Sequence, residues 1–210
     1  MGGDLCLDLG AAGNGSTVGV SHCVIVSVRC SLLAGPDGRV TRVPTVGVAI
    51  AIPEPWASQL QAYRTSIGDD TAALIPTHVT LVPPTEFAEP EELEPHLAAV
   101  ARVNEQFPLH LRGTGTFRPV SPVVFVGVVA GISSCERLAS GVRSGPLAQE
   151  LAFPYHPHVT IAHHLPDPVL DQAFDELADF ECEFKVADFH LYVHDEVEGW
   201  QVTSSYPLGE

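Results

Sequence analysis

The chain has 210 residues, with 26 acidic against 10 basic side chains and a formal net charge of -16; hydrophobic residues make up 45% and charged ones 17%. That length suits one domain or two tightly joined lobes with a real core, and the composition is not that of a disordered chain. Lys185 is the one lysine in the sequence, which argues against wrapping duplex DNA or adhering to an anionic membrane, since both draw on many Lys and Arg contacts. A small phosphorylated ligand needs only a few donors.

The five cysteines, at 6, 23, 30, 135 and 182, form no C-x-x-C pair. Neither a disulfide framework nor a zinc ribbon is expected, and a reducing cytoplasm fits best. The apolar stretch from Val24 to Leu33 is short, is interrupted by Arg29 and has no basic region ahead of it, so neither a signal peptide nor a membrane span is expected. Residues 1–42 hold 8 of the 18 glycines and three of the five cysteines. They read as a poorly ordered N-terminal extension, with one candidate strand at Val24 to Val28, ahead of a domain spanning 43–210.

From Val43 the pattern becomes regular. The apolar run Val46 to Ile52 predicts a buried strand. Pro55 opens a helix whose Trp56, Leu60, Tyr63 and Ile67 share one face. A strand follows at His78 to Val82, then a helix from about Glu91 to Glu105 with Leu93, Leu97 and Val100 inward. Leu109 and Leu111 alternate with polar neighbours on a third strand, and Val123 to Val129 reads as a central fourth. In the second half, Ser133 and Glu136 match a capping box for a helix ending near Gln149. His158 to Ala162 is a strand, and Asp167-Pro168 cap a helix with Val169, Leu170, Ala173, Phe174 and Leu177 inward. Glu183 to Val193 and Gln201 to Ser205 read as the closing strands. Each half therefore runs strand, helix, strand, helix, strand. This predicts an α+β fold of two pseudo-symmetric lobes, with antiparallel sheets facing a central cleft and helices outside.

Each half carries one copy of the same tetrapeptide type: His78-Val79-Thr80-Leu81 and, 80 residues later, His158-Val159-Thr160-Ile161. On a strand, positions i and i+2 project to one face, so each His stands beside its Thr. From this composition about 0.6 H-x-T triplets are expected by chance, and about 0.12 with apolar residues at both other positions. A lone copy is more often a surface pair or a satisfied core histidine, but two copies at matching places in a repeat point to chemistry. Histidine titrates near neutrality, so one ring can accept a proton while the other donates. Threonine hydroxyls can donate to the non-bridging oxygens of a phosphodiester. This scheme needs no metal or other cofactor. The crowding of His156, His158, His163 and His164 offers an alternative zinc site, though without an H-E-x-x-H pattern.

The two motifs, Pro76-Thr77-His78-Val79-Thr80-Leu81 and Pro157-His158-Val159-Thr160-Ile161, resemble those of the 2H phosphoesterases, and more narrowly the bacterial 2'-5' RNA ligase (RNA 2',3'-cyclic phosphodiesterase) branch. The resemblance runs from about Val43 to Pro207 and includes element order. It implies the bilobal fold, a catalytic tetrad of His78, Thr80, His158 and Thr160, and opening of a 2',3'-cyclic phosphate on a nucleotide or RNA end to a 2'-phosphate. It further implies His78 as general acid and His158 as general base. Many relatives carry Arg or Lys shortly after the second motif, where this chain reads Ala162-His163-His164. Arg118 is therefore the candidate for phosphate binding, with His163, Phe117 and Tyr155 as candidates to contact the substrate, the aromatics by stacking on a base. The scarcity of basic residues favours a small cyclic phosphate over tRNA. The alternatives are 2'-5' RNA ligation, another cyclic phosphodiester such as ADP-ribose cyclic phosphate, and a non-catalytic nucleotide-binding module. A monomer is expected.

Overall fold

The computed structural model describes residues 32–34 and 40–209. Two short strands, β1 (Leu32–Ala34) and β2 (Val40–Arg42), pair with each other. The rest of the predicted extension, including the candidate strand at Val24 to Val28, lies outside the described residues.

The main body follows the repeat in the sequence. The first half comprises β3 (Thr45–Ala51), α1 (Trp56–Ser66), β4 (His78–Glu86), α2 (Glu94–Val103) and β5 (Phe107–Thr116). The second comprises β6 (Val123–Ala130), α3 (Ile132–Val142), β7 (His158–His163), α4 (Asp167–Glu176) and β8 (Glu181–Val186), followed by β9 (Asp188–Asp195) and β10 (Gly199–Pro207). One eight-stranded antiparallel sheet takes all of these strands, in the order β10-β9-β3-β4-β7-β6-β5-β8. The halves thus share a continuous sheet whose middle is the β4–β7 junction. Each half also lends a strand to the other: β5 pairs with β6, and β9 pairs with β3.

Curl is forced by connectivity. β8 is an edge strand and β9 is second from the opposite edge, yet only Ala187 separates them. One residue spans at most about 3.6 Å, so the sheet must bend until its ends approach. The Leu208 amide bonds the Ala187 carbonyl at 2.8 Å and pins this crossing. The helices pack on the convex side over a core that includes Val48, Ile50, Leu60, Val79, Leu81, Leu97, Leu138, Val159, Ile161 and Leu170. β3 is buried along nearly its whole length, as its unbroken apolar run predicts.

Several boundaries differ from expectation. The predicted strand Glu183 to Val193 is two strands on different parts of the sheet; the buried positions switch from Cys182 and Val186 to Phe189 and Leu191, a change of phase at Ala187 that one strand cannot contain. The Ser133/Glu136 capping box does not form. Gly131, with φ of 91°, occupies the N-cap, and α3 starts at Ile132, so both residues sit out of the capping register. A side chain at Gly131 would place its Cβ 2.6 Å from the Pro108 carbonyl oxygen. α3 also stops at Val142, ahead of Gly145-Pro146, well short of Gln149. Finally, Asp167 lies in the first turn of α4 and makes no side-chain cap; its carboxylate lies 3.5 Å from Arg118 instead. Among the described residues, no helix is long and apolar enough to cross a membrane.

Candidate active site

β4 and β7 meet through the bridged pair Val79↔Val159. Both valines are fully buried. Their neighbours His78, Thr80, His158 and Thr160 therefore all project from the other, concave face. Antiparallel pairing sets His78 across from Thr160 and Thr80 across from His158, a local two-fold arrangement. Beyond this point β4 runs into Pro83-Pro84, which have no N–H to donate to a neighbouring strand.

The two imidazoles are held alike. His78 Nδ1 lies 2.6 Å from the Pro76 carbonyl oxygen, and His158 Nδ1 lies 2.7 Å from that of His156. A carbonyl only accepts, so in each ring Nδ1 carries the proton and donates it, leaving the lone pair on Nε2. His78 Nε2 lies 3.1 Å from Thr80 Oγ1 and can accept its hydroxyl proton. Burial pushes both histidines down to about 4. The backbone bond opposes the shift in each, while Arg64 and His158 add to it at His78, and His156 adds to it at His158. Both rings are thus neutral bases at pH 7. A bound phosphate anion would raise either one and allow it to hold a second proton.

The flanks of the tetrad differ. On the Thr80/His158 side a cleft of about 480 Å³ opens between the end of β4, the 117–123 loop and the 143–158 segment. Phe117 lies edge-on to His158, with centroids 5.0 Å apart, and packs at 4.5 Å against Phe125. Gly115 makes room for that pair, since a Cβ there would meet the Phe125 ring at 2.5 Å. Tyr155 donates its hydroxyl proton to the Thr80 carbonyl at 2.9 Å, and the Arg143 guanidinium lies 4.6 Å over its ring. Val120, Leu151 and Phe153 form an exposed apolar rim. On the His78 side, a small apolar cluster of Ala49, Ile75, Tyr192 and Trp200 fills the concave face, and the space left beside His78 is about 10 Å³.

The structure brings together His78, Thr80, His158, Thr160, Phe117 and Tyr155. It does not bring Arg118 or His163 to the lining of this cleft. The Arg118 guanidinium turns toward α4, bonding Asp171 at 2.6 Å. His163 is buried close enough to Arg64 and Asp69 to feel both charges. The basic residue on the cleft wall is Arg143, which the sequence reading did not single out; its place at the end of a helix, ahead of a Gly-Pro break, was the available cue. Of the crowded histidines, His156 and His158 have ring centroids 6.0 Å apart, and His163 and His164 pair with each other at 5.6 Å. Among the described residues, no group of three or more His, Cys, Asp or Glu side chains converges as metal ligands do.

A curled antiparallel sheet with two H-x-T strands at its centre and helices outside defines a two-histidine phosphoesterase architecture. The family model of the 2'-5' RNA ligase superfamily matches residues 52–198, and the chain belongs to that superfamily. A relative from Bacillus cytotoxicus bearing the name "Putative phosphoesterase" is 33% identical over 147 residues, covering 68% of this chain and 84% of its own length. One of the same description from a Geobacillus strain is 30% identical over 145 residues, covering 67% and 83%. Among solved structures, TT0787 of Thermus thermophilus superposes with a TM-score of 0.58 at 23% identity, covering 79% of this chain and 98% of that one. E. coli LigT in apo form superposes with a TM-score of 0.57 at 20% identity, covering 81% and 100%. These likenesses establish the fold.

Proposed function

We propose that this protein is a metal-independent phosphodiesterase that opens a 2',3'-cyclic phosphate on a nucleotide or RNA end to a 2'-phosphate. The observation that carries the reading is the two-fold tetrad: two histidines of the same tautomer and two threonines on one concave face, across one bridged pair of central strands. In this scheme water attacks phosphorus while one Nε2 takes its proton. The phosphorus–O3' bond breaks, and the other histidine, protonated once the anion is bound, delivers its proton to O3'. Thr80 and Thr160 donate to the non-bridging oxygens as charge accumulates on them.

The rest of the substrate fits the larger flank. Phe117, Tyr155 and the apolar rim supply surfaces for a nucleobase, and Arg143 brings a positive charge to the wall that a phosphate would face. E. coli LigT, of the same fold, has been solved with NADP+, 3'-AMP and ATP, which supports a nucleotide-sized ligand here. A net charge of -16 disfavours a long RNA as the principal substrate.

The test is hydrolysis of a panel of 2',3'-cyclic nucleotides in excess EDTA, with the product isomer identified. Turnover to 2'-phosphates that His78→Ala and His158→Ala each cut by at least about 10²-fold supports the reading. No turnover in EDTA, or turnover indifferent to both substitutions, overturns it.

A further inference from the structure

Arg64 lies on the buried side of α1, one turn after Leu60, with its side chain 3% exposed. A charge in that position is tolerable only if its donors are matched. Its Nε donates to Asp69 Oδ2 at 2.9 Å and its Nη1 to the Ile75 carbonyl at 2.6 Å. The other Asp69 oxygen accepts from the Thr71 amide at 3.0 Å and the Thr71 hydroxyl at 2.6 Å. Gln61, one turn before Arg64, donates to the Ala72 carbonyl. These bonds tie the segment 69–75 to α1 at Asp69, Ala72 and Ile75. The next carbonyl along the chain, that of Pro76, is the one that receives the His78 Nδ1 proton.

His158 is braced differently. Its acceptor, the His156 carbonyl, belongs to a segment that lines the open cleft. That segment reaches β4 through neutral carbonyls: the Tyr155 hydroxyl bonds that of Thr80, and at the far end Arg143 bonds that of Leu81 at 3.2 Å. The charged and titratable groups acting on His78 are Arg64 from α1 and His158 from β7; His163, also from β7, faces the Arg64–Asp69 pair.

We propose that the buried Arg64–Asp69 pair is a positioning device for His78, locking the Pro76 carbonyl that fixes the tautomer and aim of that ring. The proposal rests on the phosphodiesterase reading for its consequence in turnover, but not for its effect on the ring. The burial of a charged pair, Arg64 on α1 and Asp69 on the segment that follows it, where Met and Leu could have stood instead, is what calls for such a role, because apolar replacement of buried pairs is often neutral or stabilising.

The experiment uses Arg64→Met/Asp69→Leu, which removes both charges together, and Arg64→Lys, which keeps the charge but not the fork that reaches Asp69 and Ile75 at once. Steady-state kinetics on 2',3'-cyclic nucleotides are paired with NMR titration of the His78 and His158 ring protons. The double variant is expected to lose about tenfold or more in kcat, with KM within about threefold. The His78 midpoint should move up while that of His158 stays in place, and Arg64→Lys should fall between the double variant and the wild type in kcat. A folded double variant with wild-type kcat and an unmoved His78 midpoint overturns the proposal. If the double variant does not fold, Arg64→Lys decides: reduced kcat with a shifted His78 midpoint supports the proposal, and wild-type values of both overturn it. Should the wild type turn over none of these substrates, the phosphodiesterase reading falls, and the His78 midpoint alone tests the clamp.

Discussion

His78 and His158 donate to the carbonyl two residues before them at nearly the same distance, 2.6 and 2.7 Å, yet their surroundings have little in common. Around His78 the concave face is packed: Trp200 and Tyr192 are about 95% buried beside it, and the segment leading into β4 is tied to α1 by an ion pair. Around His158 the face is open, walled by Phe117 and by the residues that bound a cleft of about 480 Å³. The two-fold symmetry therefore extends to the two H-x-T motifs and stops there. In the proposed reaction a symmetric pair of proton carriers would serve two oxygens that exchange roles, while an asymmetric cleft would decide on which side the bulk of the substrate lies.

That contrast can be broken at several points. Replacing either threonine with valine keeps its shape and removes the proposed donor to the phosphoryl oxygens, so Thr80→Val and Thr160→Val should each reduce kcat by about 10- to 100-fold. Comparable losses mean a grip shared across the seam; a loss confined to one variant in initial-rate assays would show that the symmetry is only geometric. On the open flank, Phe153→Ala should raise KM about five- to tenfold for a base-bearing cyclic phosphate and change kcat less, since base stacking is worth about 1–3 kcal/mol. Tyr155→Phe removes one hydrogen bond to the Thr80 carbonyl and should reduce kcat/KM about fivefold, as one hydrogen bond contributes about 1 kcal/mol. The packed flank should be indifferent to the identity of the base.

The pH behaviour follows from burial. With both histidines held down to about 4, only a small fraction of the free protein carries the proton that the proposed acid step needs at neutral pH. The alkaline limb of kcat/KM should fall well below about 6.5, the ordinary histidine value, and that of kcat should lie higher, because a bound phosphate favours the protonated ring. An alkaline limb of kcat/KM at or above that value would contradict rings held neutral at pH 7. Stability moves in the opposite sense. Between about pH 6.5 and 4 the unfolded chain protonates both histidines while the folded one resists, so denaturant midpoints should drop as pH falls through that window. His78→Ala and His158→Ala should each remove part of that drop.

Much of this was legible in the sequence because it rests on period and repeat. The alternation at His78 to Leu81 and at His158 to Ile161 fixes which side chains share a face, and their places in matching halves imply that the two strands belong together. The apolar run of β3 announces a strand buried on both faces. Pattern alone could not show how the halves interlock, since the pairings of β9 with β3 and of β5 with β8 come from tertiary closure rather than from adjacency in sequence. The phase change at Ala187, by contrast, was present in the sequence and marks where one predicted strand becomes two. Arg118 and Arg143 are both plausible cations from composition. Only the fold shows that Asp167 and Asp171 hold the first, while the second lies over Tyr155 on the cleft wall. Arg64 carried a usable signal, a charge one turn after Leu60 on the apolar stripe of α1, but its partner at Asp69 depends on how the following segment folds back.

In the proposed mechanism the two histidines act as one acid–base unit. Its most direct test is a double-mutant cycle on a 2',3'-cyclic nucleotide in EDTA, comparing His78→Ala, His158→Ala and the variant carrying both. Groups that work in the same transition state are strongly non-additive. Each single substitution should remove at least about 10²-fold of the rate, and the double variant should fall no more than a few-fold below the poorer single one. Losses that multiply, or one single variant with near wild-type turnover, would contradict it.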